Sequence, residues 1–506
     1  MTALTENLYL LTPEFALAGL AFLVFAVDLF LPGDRKDLLG WLSIAGLLGL
    51  IVLSLVMLPG QRESLYGGLL AIDDFSLFFK VVFLGLGVFI VFSSIEYVKQ
   101  HLSHPGEFYG LLLFSILGMN IMAQSRELLT AYIALELLSF SLYVMVAYAL
   151  ANPKSNEASV KYIIIGAFSS AILLYGISMV YSTLGVTRFA DISVSLNSVT
   201  QVSPALWAGL ALIVVGLGFK LSAVPFHMWA PDTYEGAPLP VTAYLAIGSK
   251  TAAFALLLRL AAEGLVPASD RWEQWQIILA VLAALTMIVG NLVALAQRNI
   301  KRLMAYSSIG HVGFVLAGIA ALSSGSLLAA NAVTFYLVGY AITNMVVFAA
   351  LISYYNKTGQ EEIADFAGMA DRQPFLAAAI AISLFSLGGL PIFVGFTIKF
   401  YLFTAIATEG FLWLAGLAIF SSLISLYYYL QVIRQMYIQP ALAAPESAAN
   451  GQHTTPMATV PSLGRPSGLI LTVLVLGLLA VLWLGVYPAP LLGIIEASSR
   501  AILPAG

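Results

Sequence analysis

The chain has 506 residues, 60% of them hydrophobic and only 9% charged, with a net charge of −4; soluble domains carry about 25% charged residues, so an ordinary water-exposed surface is excluded. No basic block appears, which removes nucleic acid as a partner. The absence of cysteine excludes a disulfide framework, thiolate metal sites and protein-ligated iron–sulfur clusters, and argues against an electron path through this chain.

Met1 to Thr12 holds no Lys or Arg ahead of the first apolar run, which argues against a cleaved secretory signal and for a retained first helix. Apolar runs then recur from end to end, each long enough to cross a bilayer as a helix. They fall at 13–32, 38–58, 75–98, 108–124, 128–150, 158–183, 204–230, 239–262, 275–297, 300–322, 327–355, 374–408, 411–438 and 467–487. The fold expected is therefore all-α and integral to the membrane, with about fourteen transmembrane helices. Pro225 and Pro231 interrupt the seventh run, and Gly388, Gly389, Leu390 and Pro391 interrupt the twelfth, so both are expected to be discontinuous helices.

Loops after odd-numbered helices hold Arg35, Lys36, Lys99, Lys154, Arg298, Lys301, Arg302, Lys357, Arg372, Arg434 and Arg465, against Arg62, Arg126, Arg188 and Arg271 after even-numbered ones. That asymmetry puts the odd loops in the cytoplasm and both termini on the outer side. The Ala-, Pro-, Ser- and Thr-rich stretch 439–466 reads as a flexible cytoplasmic linker.

A weak internal repeat organises the middle of the chain. The fifth helix opens on Arg126 and Glu127 and reaches Glu136; the tenth opens on Lys301 and Arg302 and reaches His311 at the same distance. Lys220 in the broken seventh helix answers Lys399 in the broken twelfth. Matching elements lie five helices apart, an odd number, so the two copies enter the membrane from opposite sides, as in inverted-repeat transporters. Chance similarity between apolar helices is the competing reading. The division expected is a three-helix segment 1–106, a first five-helix repeat 107–265, a second 266–438, the linker 439–466, and a last helix with its tail, 467–506.

An ionisable side chain near the bilayer centre costs about 2.5 to 3.5 kcal/mol on insertion scales, so each one marks a functional site by default. Glu136, Lys250 and Lys399 stand mid-run, and Lys220 lies deep in the seventh run just before its break. Burial disfavours the charged form of a lysine and a nearby carboxylate restores it, so moving a charge, for instance within a Lys220–Glu136 pair, makes a lysine hold or release a proton. Ion pairs that only hold the bundle together are the alternative. His311 is either a proton relay, because imidazole titrates near neutrality, or a packing residue. Position along the helices makes Lys161, Arg259, Asp28, Asp73, Asp74, Asp232 and Glu235 interfacial. No P-loop, Rossmann fingerprint or metal-spaced cluster appears.

The stretch from Gly218 to Leu245, GFKLSAVPFHMWAPDTYEGAPLPVTAYL, resembles the signature of the antiporter-like membrane subunits shared by complex I and multisubunit cation/proton antiporters. Its Tyr234 to Pro238 segment is similar to the N-type subunits. Further matches are Ser155 to Ala158 with Lys161 and Tyr162, Lys301 to Ser308, and Gly388 to Pro391 leading to Lys399, so the resemblance covers nearly the whole chain. It implies that Glu136, Lys161, Lys220, Lys250 and Lys399 form one proton-translocating row, which brings Lys161 in from the interface. It also implies a non-redox subunit of an NADH (or ferredoxin):quinone translocase in the cell membrane that itself binds no cofactor, with quinone, and NADH with FMN and iron–sulfur clusters, used by other subunits. The partners implied are M-type antiporter-like and K-, J-, A- and H-type membrane subunits, besides lipid and protons. An antiporter component without redox coupling, and a passive scaffold, are the other readings. The Ala/Pro-rich stretch before the last helix departs from the family pattern and puts the local subunit contacts in question.

Overall fold

The computed structural model describes residues 7–199, 203–440 and 464–503. Most of the 439–466 linker lies outside the described residues. Among those described, thirteen helices are long and apolar enough to cross a membrane. Two shorter apolar helices, Pro374–Gly388 and Val394–Thr408, together form a broken fourteenth. The all-α membrane fold expected from the sequence is thus present.

The helices are α1 (Thr12–Phe30), α2 (Asp37–Met57), α3 (Asp74–His101), α4 (Pro105–Gln124), α5 (Leu128–Val146), α6 (Pro153–Leu184), α7 (Phe189–Ser198) and α8 (Pro204–Leu221). They continue as α9 (Trp229–Gly236), α10 (Leu239–Tyr244), α11 (Lys250–Leu260), α12 (Ser269–Ala294), α13 (Ile300–Ala320), α14 (Leu328–Thr358) and α15 (Met369–Arg372). The last are α16 (Pro374–Gly388), α17 (Val394–Thr408), α18 (Leu412–Tyr437), α19 (Gly468–Val486) and α20 (Ala489–Arg500). A small antiparallel hairpin, β1 (Glu63–Leu65) with β2 (Leu70–Ile72), joins α2 to α3 and was not legible among the apolar runs.

Local signals set the helix ends. Proline opens α4, α6, α8 and α16, where its missing N–H is one the helix would leave unpaired anyway. Asp73 and Ser76 form a reciprocal capping box at the start of α3, and the Asn299 side chain accepts from the backbone N–H groups of Lys301 and Arg302 at the start of α13. Where α6 crosses α8, a Cβ on Gly176 would stand 2.7 Å from the Gly209 carbonyl oxygen, so only glycine permits that approach.

The centre of the bundle is the span Leu239–Leu265, which is buried throughout its hydrophobic window, with α13 and α14 almost as enclosed. Within it, π-helical turns Leu245–Ser249 and Ala261–Leu265 flank α11 on both sides. Such turns are rare and recur at functional sites. By contrast α6 and α19 present much of their apolar surface outward, as helices facing lipid or a partner do.

Both expected breaks exist. Helix α8 stops at Leu221, Ser222 adopts a left-handed conformation (φ 63), and α9 begins at Trp229. The Trp229 indole N–H spans the gap to the Phe219 carbonyl at 2.9 Å. Only Pro225 lies in this gap; Pro231 sits in the first turn of α9, where proline is tolerated, so its expected role as a breaker is corrected. In the second break Gly389 (φ 86) ends α16, and the Gly395 N–H opening α17 donates to Ser386 Oγ at 3.0 Å.

Candidate proton-conducting site

Three lysines lie in the membrane interior with 2 to 4% of their surface exposed: Lys220 at the end of α8, Lys250 at the start of α11 and Lys399 in α17. Each ammonium meets a neutral oxygen instead of a carboxylate. Lys220 donates to Ser139 Oγ at 2.9 Å and more loosely to the Tyr162 hydroxyl at 3.5 Å. Lys250 donates to Ser308 Oγ at 2.6 Å and stands 5.6 Å from the centre of the Tyr234 ring. Lys399 reaches the Leu387 carbonyl exposed at the second break at 2.6 Å, and Ser422 Oγ at 2.9 Å. Unwound backbone there supplies an acceptor that a continuous helix would have used.

Between Lys250 and Lys399 runs a set of groups that both give and take hydrogen bonds. Tyr340 donates to the same Ser308 oxygen at 2.9 Å. The His311 ring packs 4.9 Å from that of Tyr340, and its Nδ1 bonds the Tyr336 hydroxyl at 2.6 Å. Its Nε2 lies 3.4 Å from the Tyr429 hydroxyl, which also bonds Ser307. One turn further along α13, Phe314 packs its ring 5.4 Å from the Lys399 ammonium. Hydroxyls and imidazoles pass a proton by accepting on one side and donating on the other, so the row is chemically fit for proton transfer.

Glu136 stands in α5 one turn before Ser139 and is partly exposed. No ion pair joins it to Lys220: the lysine is held by the hydroxyls, and Glu136 Oε1 has no hydrogen-bond partner. The Lys220–Glu136 contact expected from the sequence is therefore absent.

Lys161 is not in this interior row. It sits at the rim with 43% of its side chain exposed, 2.7 Å from Asp232 and 2.8 Å from Glu157. Arg302 at the start of α13 reaches Asp232 at 2.6 Å and Glu235 at 3.0 Å, while Lys154 pairs with Glu235 at 2.9 Å. These side chains line an open polar recess. Burial alone would lift both carboxyls; hydrogen bonds from Lys161 and Arg302 to Asp232, and from Lys154 and Arg302 to Glu235, hold each below the ordinary carboxylate value.

Residues 125–425, more than half of the chain and all of this row but Tyr429, match the family described as "NADH:quinone oxidoreductase/Mrp antiporter, TM". The chain belongs to this family. Proteins named NADH-quinone oxidoreductase subunit N are similar over almost its whole length. That of Desulfitobacterium hafniense is 39% identical over 96% of this chain and 97% of its own. That of Moorella thermoacetica is 41% identical over the same shares. A chain of respiratory complex I from Thermus thermophilus superposes with a TM-score of 0.77 at 29% identity, over 96% of this chain and 100% of that one. The N-type resemblance read from Tyr234 to Pro238 is thereby established.

For this NADH:quinone oxidoreductase/Mrp antiporter family member, Arg259 and Asp73 keep their places near helix ends, but as enclosed groups. Arg259 is fully buried and grips Asp73 through two hydrogen bonds of 2.8 Å; it also bonds Glu263 at 2.9 Å and the Ala123 carbonyl at 2.9 Å. Arg126 completes the cluster on Glu263 at 2.6 Å. Lys80 in α3, passed over in the sequence, is wholly enclosed against Glu14 of α1 at 2.6 Å. Its position inside the run 75–98 was the available signal. Asp28 keeps its expected place at a helix end, paired with Lys36 at 2.9 Å.

Proposed function

We propose that this chain is a proton-translocating, antiporter-like subunit of a complex I type NADH:quinone oxidoreductase in the cell membrane, with both termini on the outer side. In this reading it carries no redox group. Quinone reduction, with NADH, FMN and iron–sulfur clusters, belongs to other subunits, and its energy arrives here as displaced charge. Lys220 and Lys399 then load and release protons in two inverted five-helix units, with Lys250, Ser308, Tyr340 and His311 between them and Lys161 at the mouth. The partners are M-type antiporter-like and K-, J-, A- and H-type membrane subunits.

The observation carrying this reading is that Lys220, Lys250 and Lys399 lack a carboxylate within ion-pair distance among the described residues, whereas the other buried lysines, Lys80 and Lys301, are paired with Glu14 and Glu361. Each of the first three is instead held by neutral oxygens, at 2.9 Å, 2.6 Å and 2.6 Å. A lysine locked to a carboxylate keeps its proton, whereas one held by hydroxyls can lose it when a neighbouring charge moves. The test is Lys399→Met in native membranes. An assembled complex with depressed proton uptake into vesicles supports the reading; uptake and quinone reduction at wild-type levels reject it.

A further inference from the structure

Outside the matched residues 125–425, the helices α1, α3 and α4 enclose a second set of polar groups that the row above does not use. Glu14 and Lys80 form an ion pair at 2.6 Å whose side chains are 7% and 1% exposed. Gln124, the last residue of α4, is also fully buried and donates its amide to Glu14 at 2.6 Å. All three lie near the same end of their helices, because Lys80 stands six residues, about 9 Å at 1.5 Å per residue, inside the start of α3. That is the end that carries the β1–β2 hairpin.

Polar capacity is left over in this set. Among the described residues, Glu14 Oε2, Gln124 Oε1 and, one turn earlier on α4, Asn120 Oδ1 are buried acceptors without a hydrogen-bond partner. An unpartnered buried acceptor destabilises the fold, and a proton bound on the carboxylate turns one acceptor into a donor. The set is also tied to the central span. Arg259 bonds the Ala123 carbonyl, next to Gln124, and holds Asp73 and Glu263. Glu263 lies thirteen residues beyond Lys250 on the same span, about 20 Å along its axis. Arginine does not give up its proton, and Arg259 and Arg126 hold Asp73 and Glu263 as their counter-charges, so within this linked group the exchangeable site falls to Glu14 and Lys80.

We propose that Glu14, Lys80 and Gln124 form a second proton-holding site, through which protons leave to the water on the hairpin side. A proton arriving on the Glu14 carboxylate makes it neutral and frees Lys80 from its pair; departure of that proton restores the pair. This rests on the function proposed above.

The test is the double variant Glu14→Gln/Lys80→Met in the complete complex in native membranes, with Lys220→Ala alongside. Removing both members of a buried pair is structurally tolerated far better than removing one. The expected result is an assembled complex in which the rates of proton uptake and quinone reduction fall about tenfold or more, as loss of a proton-transfer group should produce. Wild-type uptake by the assembled double variant overturns the inference. Should that variant not assemble, the exchanged pair Glu14→Lys/Lys80→Glu decides: assembly with depressed uptake supports the site, while wild-type uptake or a second failure to assemble overturns it. Intact uptake in Lys220→Ala would instead remove the proposed function itself. Depressed uptake there beside intact uptake in the double variant removes only this site.

Discussion

Arg259 and Asp73 meet through two guanidinium nitrogens and both carboxylate oxygens, each contact 2.8 Å, and this joins the central span to the start of α3. Arg259 also carries a helix in which Lys250 must hold its register, so the contact fixes more than the N-terminal bundle. Removing one partner leaves the other charge buried and unpaired, which costs about 3 to 5 kcal/mol. Arg259→Ala is therefore expected to lower the yield of assembled complex sharply on a native gel. Arg259→Lys keeps the charge and loses the two-pronged geometry, and should give an intermediate yield.

Ser308 accepts from Lys250 and Tyr340 together, at 2.6 Å and 2.9 Å. Ser308→Ala removes the acceptor shared by both donors without changing the bulk of the helix. The expected cost is about 1 to 3 kcal/mol of lost hydrogen bonding, tolerable for assembly. Proton uptake should fall while the complex remains intact; unchanged uptake would take Ser308 out of the path.

His311 bonds the Tyr336 hydroxyl and approaches that of Tyr429, so a packing residue of equal size does not reproduce it. His311→Phe fills the space and removes both nitrogens. If the imidazole relays protons, uptake falls and Tyr336→Phe lowers it as well, since the same bond is broken from its other side. Wild-type uptake in both variants would assign His311 to packing.

At the rim, Asp232 and Glu235 are held below the ordinary carboxylate value by their cationic partners. A carboxyl whose value is lowered in the folded protein stabilises the fold fully above the unfolded carboxylate range and loses that contribution as pH falls through the lowered value. Thermal unfolding of the detergent-solubilised complex should therefore show stability dropping on the acid side of the ordinary carboxylate range. In Asp232→Asn that drop should be smaller. Both groups are substantially exposed, so the effect is modest and weakens with salt.

Lys220, Lys250 and Lys399 were legible because a charge inside an apolar run is conspicuous whatever packs around it. By the same rule Lys80 was visible in the run 75–98, yet its partner Glu14 lies 66 residues earlier, on a helix the repeat does not include. The enclosure of Arg259 was hidden for a different reason. Position along a helix measures depth from its end, but not whether neighbouring helices cover that end, and the span that carries Arg259 is enclosed from all sides. The hydroxyl partners Ser139, Ser308 and Tyr340 depend on tertiary approach and carry no local pattern. Pro231 shows the opposite limit: proline breaks a helix only away from its first turn.

Lys220 is where the account is tested most directly, because its ammonium is buried at 2% exposure and held by Ser139 with no carboxylate in contact. The measurement is proton uptake and quinone reductase rate in membranes bearing Lys220→Ala, after a native gel has established assembly. Loss of a proton carrier predicts an intact complex in which both activities fall by about tenfold or more. Wild-type rates of pumping and reduction in the assembled variant would contradict the account and leave Lys220 as a structural residue.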